Sequence, residues 1–380
     1  MTKYKIPFNR PFLTGKELTY IQQAMEIGHL SGDGEFTHKC HSLLEKVTGS
    51  PKALLTTSCT HALEMCALLL NIQEGDEFIV PSFSFVTTAN AFVLRGAKPV
   101  FIDIRPDTLN LDESDLEALI SPRTKAIVAL HYAGVACEMD TILEVAGRHD
   151  IPVVEDSALG LFGKYKGKPL GSFGDLATLS FHETKSFTCG EGGALLINNQ
   201  TYQNRAEILR EKGTNRTQFF QGQVDKYTWV DLGSSYLPAD ILAAFLYAQL
   251  EGAHEVLQER QRIWNMYSEA LHECAEKSEC QLPQIPSHCN FPYTMFYMLC
   301  PSAVQRTELI AELAAQGIQS VFHYLPLHFS KMGQQWGYKE GDFPVAEKLA
   351  SEILSLPMYP ELEVDQQEYI VENISEFLSK

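Results

Sequence analysis

The stretch "ALLTTSCTHALEMCALLLNIQEGDEFIVP", residues 53–81, carries two short apolar runs around a segment with apolar residues at helical spacing. The runs are "ALLTT" (53–57) and "EFIVP" (77–81), and "THALEMCALLL" lies between them. Neither run alternates with polar residues, so each suits a strand buried on both faces. The same pattern continues in "KPVFID" (98–103), "AIVALHY" (126–132), "PVVED" (152–156), "LATLSF" (176–181) and "GALLIN" (193–198). Helical-period segments such as "MDTILEVAGRHD" separate them. Strands alternating with helices predict an α/β fold with a mainly parallel sheet.

From about residue 251 the rhythm changes. "HEVLQERQRIWNMYSEALHEC" places Val256, Leu257, Ile263, Tyr267 and Leu271 on one face of a long helix, with charges opposite. Strand-like "TMFYMLC" (294–300), helix-like "RTELIAELAAQG" and a final helix follow, as in a smaller α+β unit. The expected division is a large domain over 1–250, with the N-terminal segment, and a small C-terminal domain over 251–380. With 380 residues, 45% of them hydrophobic and 21% charged, a sizeable buried core is expected.

Composition also excludes some classes. No apolar run is long enough for a membrane helix, and "MTKYKIPFNRPFLTG" lacks the apolar stretch of a secretory signal. Nine scattered cysteines without a C-x-x-C pair fit a reducing compartment, so a cytoplasmic location is expected. A net charge of −18 disfavours a nucleic-acid partner. "HKCH" (38–41) sits in a helical pattern and lacks matching partners, and the intervening Pro326 and the lack of a nearby carboxylate cluster count against His323 and His328 as a pair, so no metal site is expected.

Four local features carry chemistry. "TTSCTHALEM" (56–65) reads as strand, polar turn and helix, with Ser58 and Thr60 at N-cap-like positions; free N–H groups there suit an anion, although a plain cap has the same sequence. "PVVEDSALG" ends a strand on Glu155 and Asp156, and carboxyl ends of strands face the ligand crevice in open α/β sheets. In "LSFHETKSFTCGEGG" (179–193) a single lysine, Lys185, follows a strand. An amine desolvated in that crevice becomes nucleophilic and forms Schiff bases with carbonyl compounds, pyridoxal phosphate among them. The glycines of "CGEGG" allow close backbone approach. Together these features describe a pyridoxal phosphate site: Lys185 for the aldehyde, Asp156 for the pyridinium nitrogen, Ser58 to His61 for the phosphate. Phe85 in "PSFSFVTTAN" is placed to stack on the ring.

The chain resembles the DegT/DnrJ/EryC1/StrS family of sugar aminotransferases, fold type I enzymes dependent on pyridoxal phosphate. The resemblance runs essentially end to end, through "TSCT", "PSFSFVTTANAFVLRGAKPVFIDI", "HYAG", "VVEDSA", "GSFGDLATLSFHETK", "GEGGALL" and "HYLPLH". Within it, "FHETK", "REKGTNR", "GQVDKYTW" and "LGSSYL" are most similar to the dTDP-4-amino-4,6-dideoxygalactose transaminases. The resemblance implies that Lys185 carries the cofactor and Asp156 pairs with its ring nitrogen. Cys59, Thr60, His61 and Ser180 would hold the phosphate, with Phe85 over the ring and Ser235 supplied by a second subunit of a homodimer. Glutamate would be the amino donor and a nucleotide ketosugar the acceptor. Lys212, Tyr227 and His323 are the expected substrate contacts, and Arg210, Arg216 and Lys226 lie among aromatics in the same stretch. Three positions depart from the usual family pattern: Ser235 for Asn, Cys59 for Gly, and Leu159 where Gln or His bonds the ring hydroxyl. Other readings stay open at this point: the gluco epimer, another ketosugar, or a paralogue that binds the cofactor without turnover. A 3-dehydratase of the family would carry His in place of Lys185.

Overall fold

The protein is described by a computed structural model covering residues 4–220 and 222–380. Residues 1–3, at the start of the expected first domain, and Gln221, within the expected substrate stretch, lie outside the described residues. Each of the seven predicted runs forms a strand. They are β1 (Ala53–Thr56), β2 (Glu77–Pro81), β3 (Lys98–Ile102), β4 (Thr124–Leu130) and β5 (Val153–Asp156). After a hairpin of β6 (Lys164–Tyr165) and β7 (Lys168–Pro169) come β8 (Leu176–Ser180) and β9 (Gly193–Ile197). The hairpin stands outside the main sheet and also pairs with β10 (Cys289–Asn290).

The main sheet has seven strands in the order β1-β9-β8-β5-β4-β2-β3. All run parallel except β9, which is antiparallel to both of its neighbours. The cause is its connection. Residues 181–192 hold no helix to carry the chain across the sheet, so it returns beside β8 in the opposite direction.

Helices cover both faces. The N-terminal pair is α1 (Glu17–Ile27) and α2 (Glu35–Thr48), followed by α3 (Cys59–Leu69), α4 (Val86–Val93) and α5 (Met139–Arg148). Then come α6 (Gln203–Arg210), α7 (Arg216–Phe220), α8 (Asp240–Glu251) and the long α9 (Ala253–Ala270). Side chains alternate along each strand, so one sheet face packs Val154, Leu195 and Ile197 against Leu63, Cys66 and Phe92 of α3 and α4. The opposite face packs Leu55, Leu179 and Leu196 against Phe36, Leu44 and Leu246 of α2 and α8. Burial on both faces is why these strands read as unbroken apolar runs.

After α9 the chain forms α10 (His272–Lys277), β11 (Phe296–Leu299), α11 (Ala303–Ala315), α12 (Pro344–Glu352), β12 (Ile353–Leu356) and α13 (Val364–Leu378). Strands β11 and β12 pair antiparallel. Their core takes Ile263, Tyr267 and Leu271 from the apolar face read in the sequence, and Ile6 joins it from the N-terminal segment. Ile6 bridges Ile318, and Phe8 N–H donates to Gln319 Oε1 at 3.1 Å. No described helix is long and apolar enough to cross a membrane.

Candidate active site

The carboxyl edge of the sheet forms one wall of a cavity of about 450 Å³, and the segment around His323 and Tyr324 closes it from the C-terminal side. Each strand delivers a functional group as it ends. β1 leads into Ser58, Cys59 and Thr60; β2 leads to Phe85; β5 ends on Asp156; β8 ends on Ser180 and leads to Lys185. All of these residues line the cavity. The parallel direction of these strands puts their carboxyl ends on one edge, and the antiparallel β9 brings Gly192 there by its start.

Adjacent acids at the end of β5 take opposite parts, because successive strand residues face opposite sides. Glu155 is buried and points away from the cavity. Its carboxylate accepts from the backbone N–H groups of Gly171 (2.8 Å), Phe173 (2.6 Å) and Gly174 (2.7 Å), and lies 3.0 Å from His131 Nε2. His131 Nδ1 accepts from Cys137 N–H at 3.2 Å, so by this network Nε2 carries the proton given to Glu155. Glu155 thus pins a turn. Asp156 faces the cavity, accepting from the Thr88 hydroxyl at 2.7 Å and from Ala158 N–H at 3.2 Å. Burial pushes its carboxyl above the ordinary carboxylate range, opposed by Thr88, Ala158, Lys185 and His131.

Lys185 lies across the same cavity. Burial lowers its amine below the usual lysine value, while Cys59 and Asp156 act in the other direction. Such an amine is uncharged, and therefore nucleophilic, at lower pH than a surface lysine. The Cys59 thiol is pushed up to about 12 chiefly by burial, with Asp156 adding to it, so it stays protonated at neutral pH.

At the opposite end, Ser58 caps α3: its Oγ accepts from His61 N–H at 3.1 Å. Thr60 sits inside the first helical turn rather than at a cap. The remaining N–H groups of this turn and the hydroxyls of Thr60 and Ser180 form a cradle suited to an anion. Gly193 is required beneath it, since a Cβ there would run into the backbone of Ser58 and Cys59. Phe85 and Tyr324 set their rings at the mouth with centroids 5.8 Å apart. His323 lines the cavity, and its buried Nδ1 has no hydrogen-bond partner among the described residues. A buried acid, an amine, an amide-and-hydroxyl cradle, an aromatic wall and an unpartnered ring nitrogen fit a pyridine ring bearing an aldehyde and a phosphate.

The remaining candidates lie off the cavity of this chain. His61 turns to Thr57, with Nδ1 and Oγ1 2.5 Å apart, and packs on Tyr236. Ser235 is exposed and bridges Glu211. Lys212 Nζ donates to Glu211 at 2.9 Å, and Tyr227 packs on Phe219. Arg210 is a buried staple, its Nε donating to Leu55 O at 2.7 Å and its Nη1 to Asp33 at 2.7 Å. His328 is likewise internal, 2.6 Å from Ser82 Oγ and 2.9 Å from Glu347. Sequence reasoning missed Thr88, Tyr132 and Tyr324, which line the cavity. Tyr324 had a signal in its neighbour His323; Thr88 had none.

Residues 11–375 match the profile of the DegT/DnrJ/EryC1/StrS aminotransferase family. The chain belongs to that family. It is 32% identical over 375 residues to the GDP-perosamine synthase of Escherichia coli O157:H7, covering 98% of this chain and 99% of that one. The GDP-perosamine synthase of Caulobacter vibrioides is 33% identical over 359 residues, 93% of each chain. Among solved structures, the putative sugar aminotransferase Spr1654 from Streptococcus pneumoniae superposes with a TM-score of 0.91 at 27% identity, over 99% of this chain and 98% of that one. That protein has been solved in apo, PMP and PLP forms. The fold is that of the pyridoxal-phosphate-dependent aminotransferases, and pyridoxal phosphate is the cofactor the family membership assigns to this chain.

Proposed function

We propose that this chain is a nucleotide-sugar aminotransferase that converts dTDP-4-keto-6-deoxyglucose to dTDP-4-amino-4,6-dideoxygalactose with glutamate as amino donor. The observation that carries the transaminase reading is Lys185, an amine with a lowered pKa, enclosed with the buried acid Asp156. The dTDP and galacto assignments draw on the likeness of "FHETK", "REKGTNR", "GQVDKYTW" and "LGSSYL" to that subgroup.

Bound here, pyridoxal phosphate supplies an aldehyde for an amine and a ring that accepts the electrons left when a C–H bond breaks. The residues divide the remaining work. Asp156 holds a proton at the ring nitrogen. The α3 turn with Thr60 and Ser180 grips the phosphate, and Phe85 covers the ring. Lys185 Nζ takes the proton from the Cα of glutamate as general base and returns one as general acid. His323 contacts the sugar from the C-terminal side. Lys212, Tyr227 and Ser235 reach the site from the neighbouring chain of a homodimer, which accounts for their distance from the cavity of their own chain.

Two measurements test the reading. Lys185→Ala is expected to remove the long-wavelength absorption of the loaded protein and lower turnover by ~10³-fold or more; turnover at the wild-type rate would refute it. The substrate is tested by supplying dTDP-4-keto-6-deoxyglucose with glutamate and reading the C4 configuration of the product by NMR. An equatorial amine, or turnover only of a GDP-linked 4-ketosugar, overturns the fine assignment. The relatives named GDP-perosamine synthases make the GDP-linked sugar the competing substrate.

A further inference from the structure

Thr88 is buried in the first turn of α4, where a threonine hydroxyl ordinarily bonds back to its own helix. Here it does not. Its Oγ1 instead donates across 68 positions of sequence to Asp156 Oδ2 at 2.7 Å. The only other donor to that carboxylate among the described residues is Ala158 N–H, at a longer 3.2 Å on Oδ1. The two donors hold separate oxygens and so fix the rotation of the carboxylate. The same helical turn begins at Phe85, whose carbonyl accepts Thr88 N–H at 3.1 Å. One turn of α4 therefore couples the aromatic wall of the site to its acid.

We propose that Thr88 is a positioning residue for the reaction: its hydroxyl holds the Asp156 carboxylate in one orientation and as an anion for the ring nitrogen of bound pyridoxal phosphate. The inference rests on the cofactor site described above. A hydrogen bond to an anion makes it a weaker base, so Asp156 leaves the proton on the ring nitrogen instead of drawing it away. That proton is what makes the ring a good electron acceptor. Without the Thr88 donor the acid is more basic, the ring loses positive charge, and the chromophore retains its own proton to higher pH.

The test compares loaded wild type, Thr88→Val and Thr88→Ser by absorption across a pH range and by steady-state kinetics. Thr88→Val keeps the shape and removes the donor; Thr88→Ser restores it. In the valine variant the midpoint of the long-wavelength band is expected to move up by about one pH unit. Its kcat is expected to fall about tenfold or more with KM for glutamate little changed, the loss of one hydrogen bond to a charged group. Thr88→Ser should recover both. Lys185→Ala, which loses the band altogether, separates failure of the cofactor reading from failure of this one. A valine variant with the wild-type midpoint and kcat overturns the proposal, as does a serine variant impaired equally with it. Should valine prevent folding, Thr88→Ala is compared with Thr88→Ser under the same criteria.

Discussion

At the scale of single residues, the site places an acid where water is excluded. Asp156 has its carboxyl raised by burial, which two hydrogen bonds and the Lys185 charge only partly offset. In the cofactor-free protein the folded chain therefore holds that proton more tightly than the unfolded chain. The contribution of the group to stability is present below the ordinary carboxylate pKa and is lost as pH rises through the raised value. Asp156→Asn removes this cost. The cofactor-free variant is expected to melt about 2 °C or more above cofactor-free wild type at pH 7, with the gap closing below about pH 4. Thermal melts at a series of pH values check this, and equal melting at pH 7 counts against it. The same variant should bind cofactor poorly, a stability gained by losing function. That Asp156 and Lys185 would share one cavity was legible in the sequence, because Asp156 ends a strand and Lys185 lies in the loop that follows another. Thr88 was not, because its role depends on a contact between two elements that no local pattern encodes. For a related reason the local pattern, which put His61 at the phosphate, does not show that its N–H is donated to Ser58 Oγ at 3.1 Å and that its ring is drawn to Thr57 and Tyr236.

At the scale of elements, the strands were readable because burial on both faces leaves continuous apolar runs. The direction of β9 was not, since direction follows from what lies in the connection and the 181–192 loop has no apolar period to read. Helix junctions were also hidden. Asp240, in the first turn of α8, accepts from Thr37 N–H at 2.8 Å, Thr37 Oγ1 at 2.7 Å and Phe36 N–H at 3.3 Å, capping α2 from another helix. Gly34 makes room for it: a Cβ there would lie 2.8 Å from Asp240 Oδ1. Since α2 and α8 together cover the lower face of β1 and β9, the cap secures the layer under the cofactor cradle. Asp240→Ala strands three donors in a buried place and is expected to cost about 2–4 kcal/mol in denaturant unfolding. A loss under about 0.5 kcal/mol would show that the cap is dispensable.

At the scale of the whole molecule, the segment carrying Lys212, Tyr227 and Ser235 is set apart from the cavity it was expected to serve. It is also unusually apolar for a surface, with Trp229 76% exposed, Phe220 70% and Tyr227 52%. An exposed patch of that kind is normally covered by a partner, and a two-fold axis would bring the Ser235 of each copy to the cavity of the other. Complementation tests this directly. Lys185→Ala disables the cavity of its own chain, whereas Ser235→Glu sets a negative charge against the phosphate end of the other. Each homodimer should be inactive. Mixed and allowed to exchange, half the dimers carry one intact site, so about one quarter of wild-type activity is expected to return. Restoration to that level requires residues from two chains in one site. A mixture that stays inactive while co-purification of differently tagged chains shows mixed dimers would place Ser235 and Lys185 in the same chain's site, contrary to the arrangement proposed.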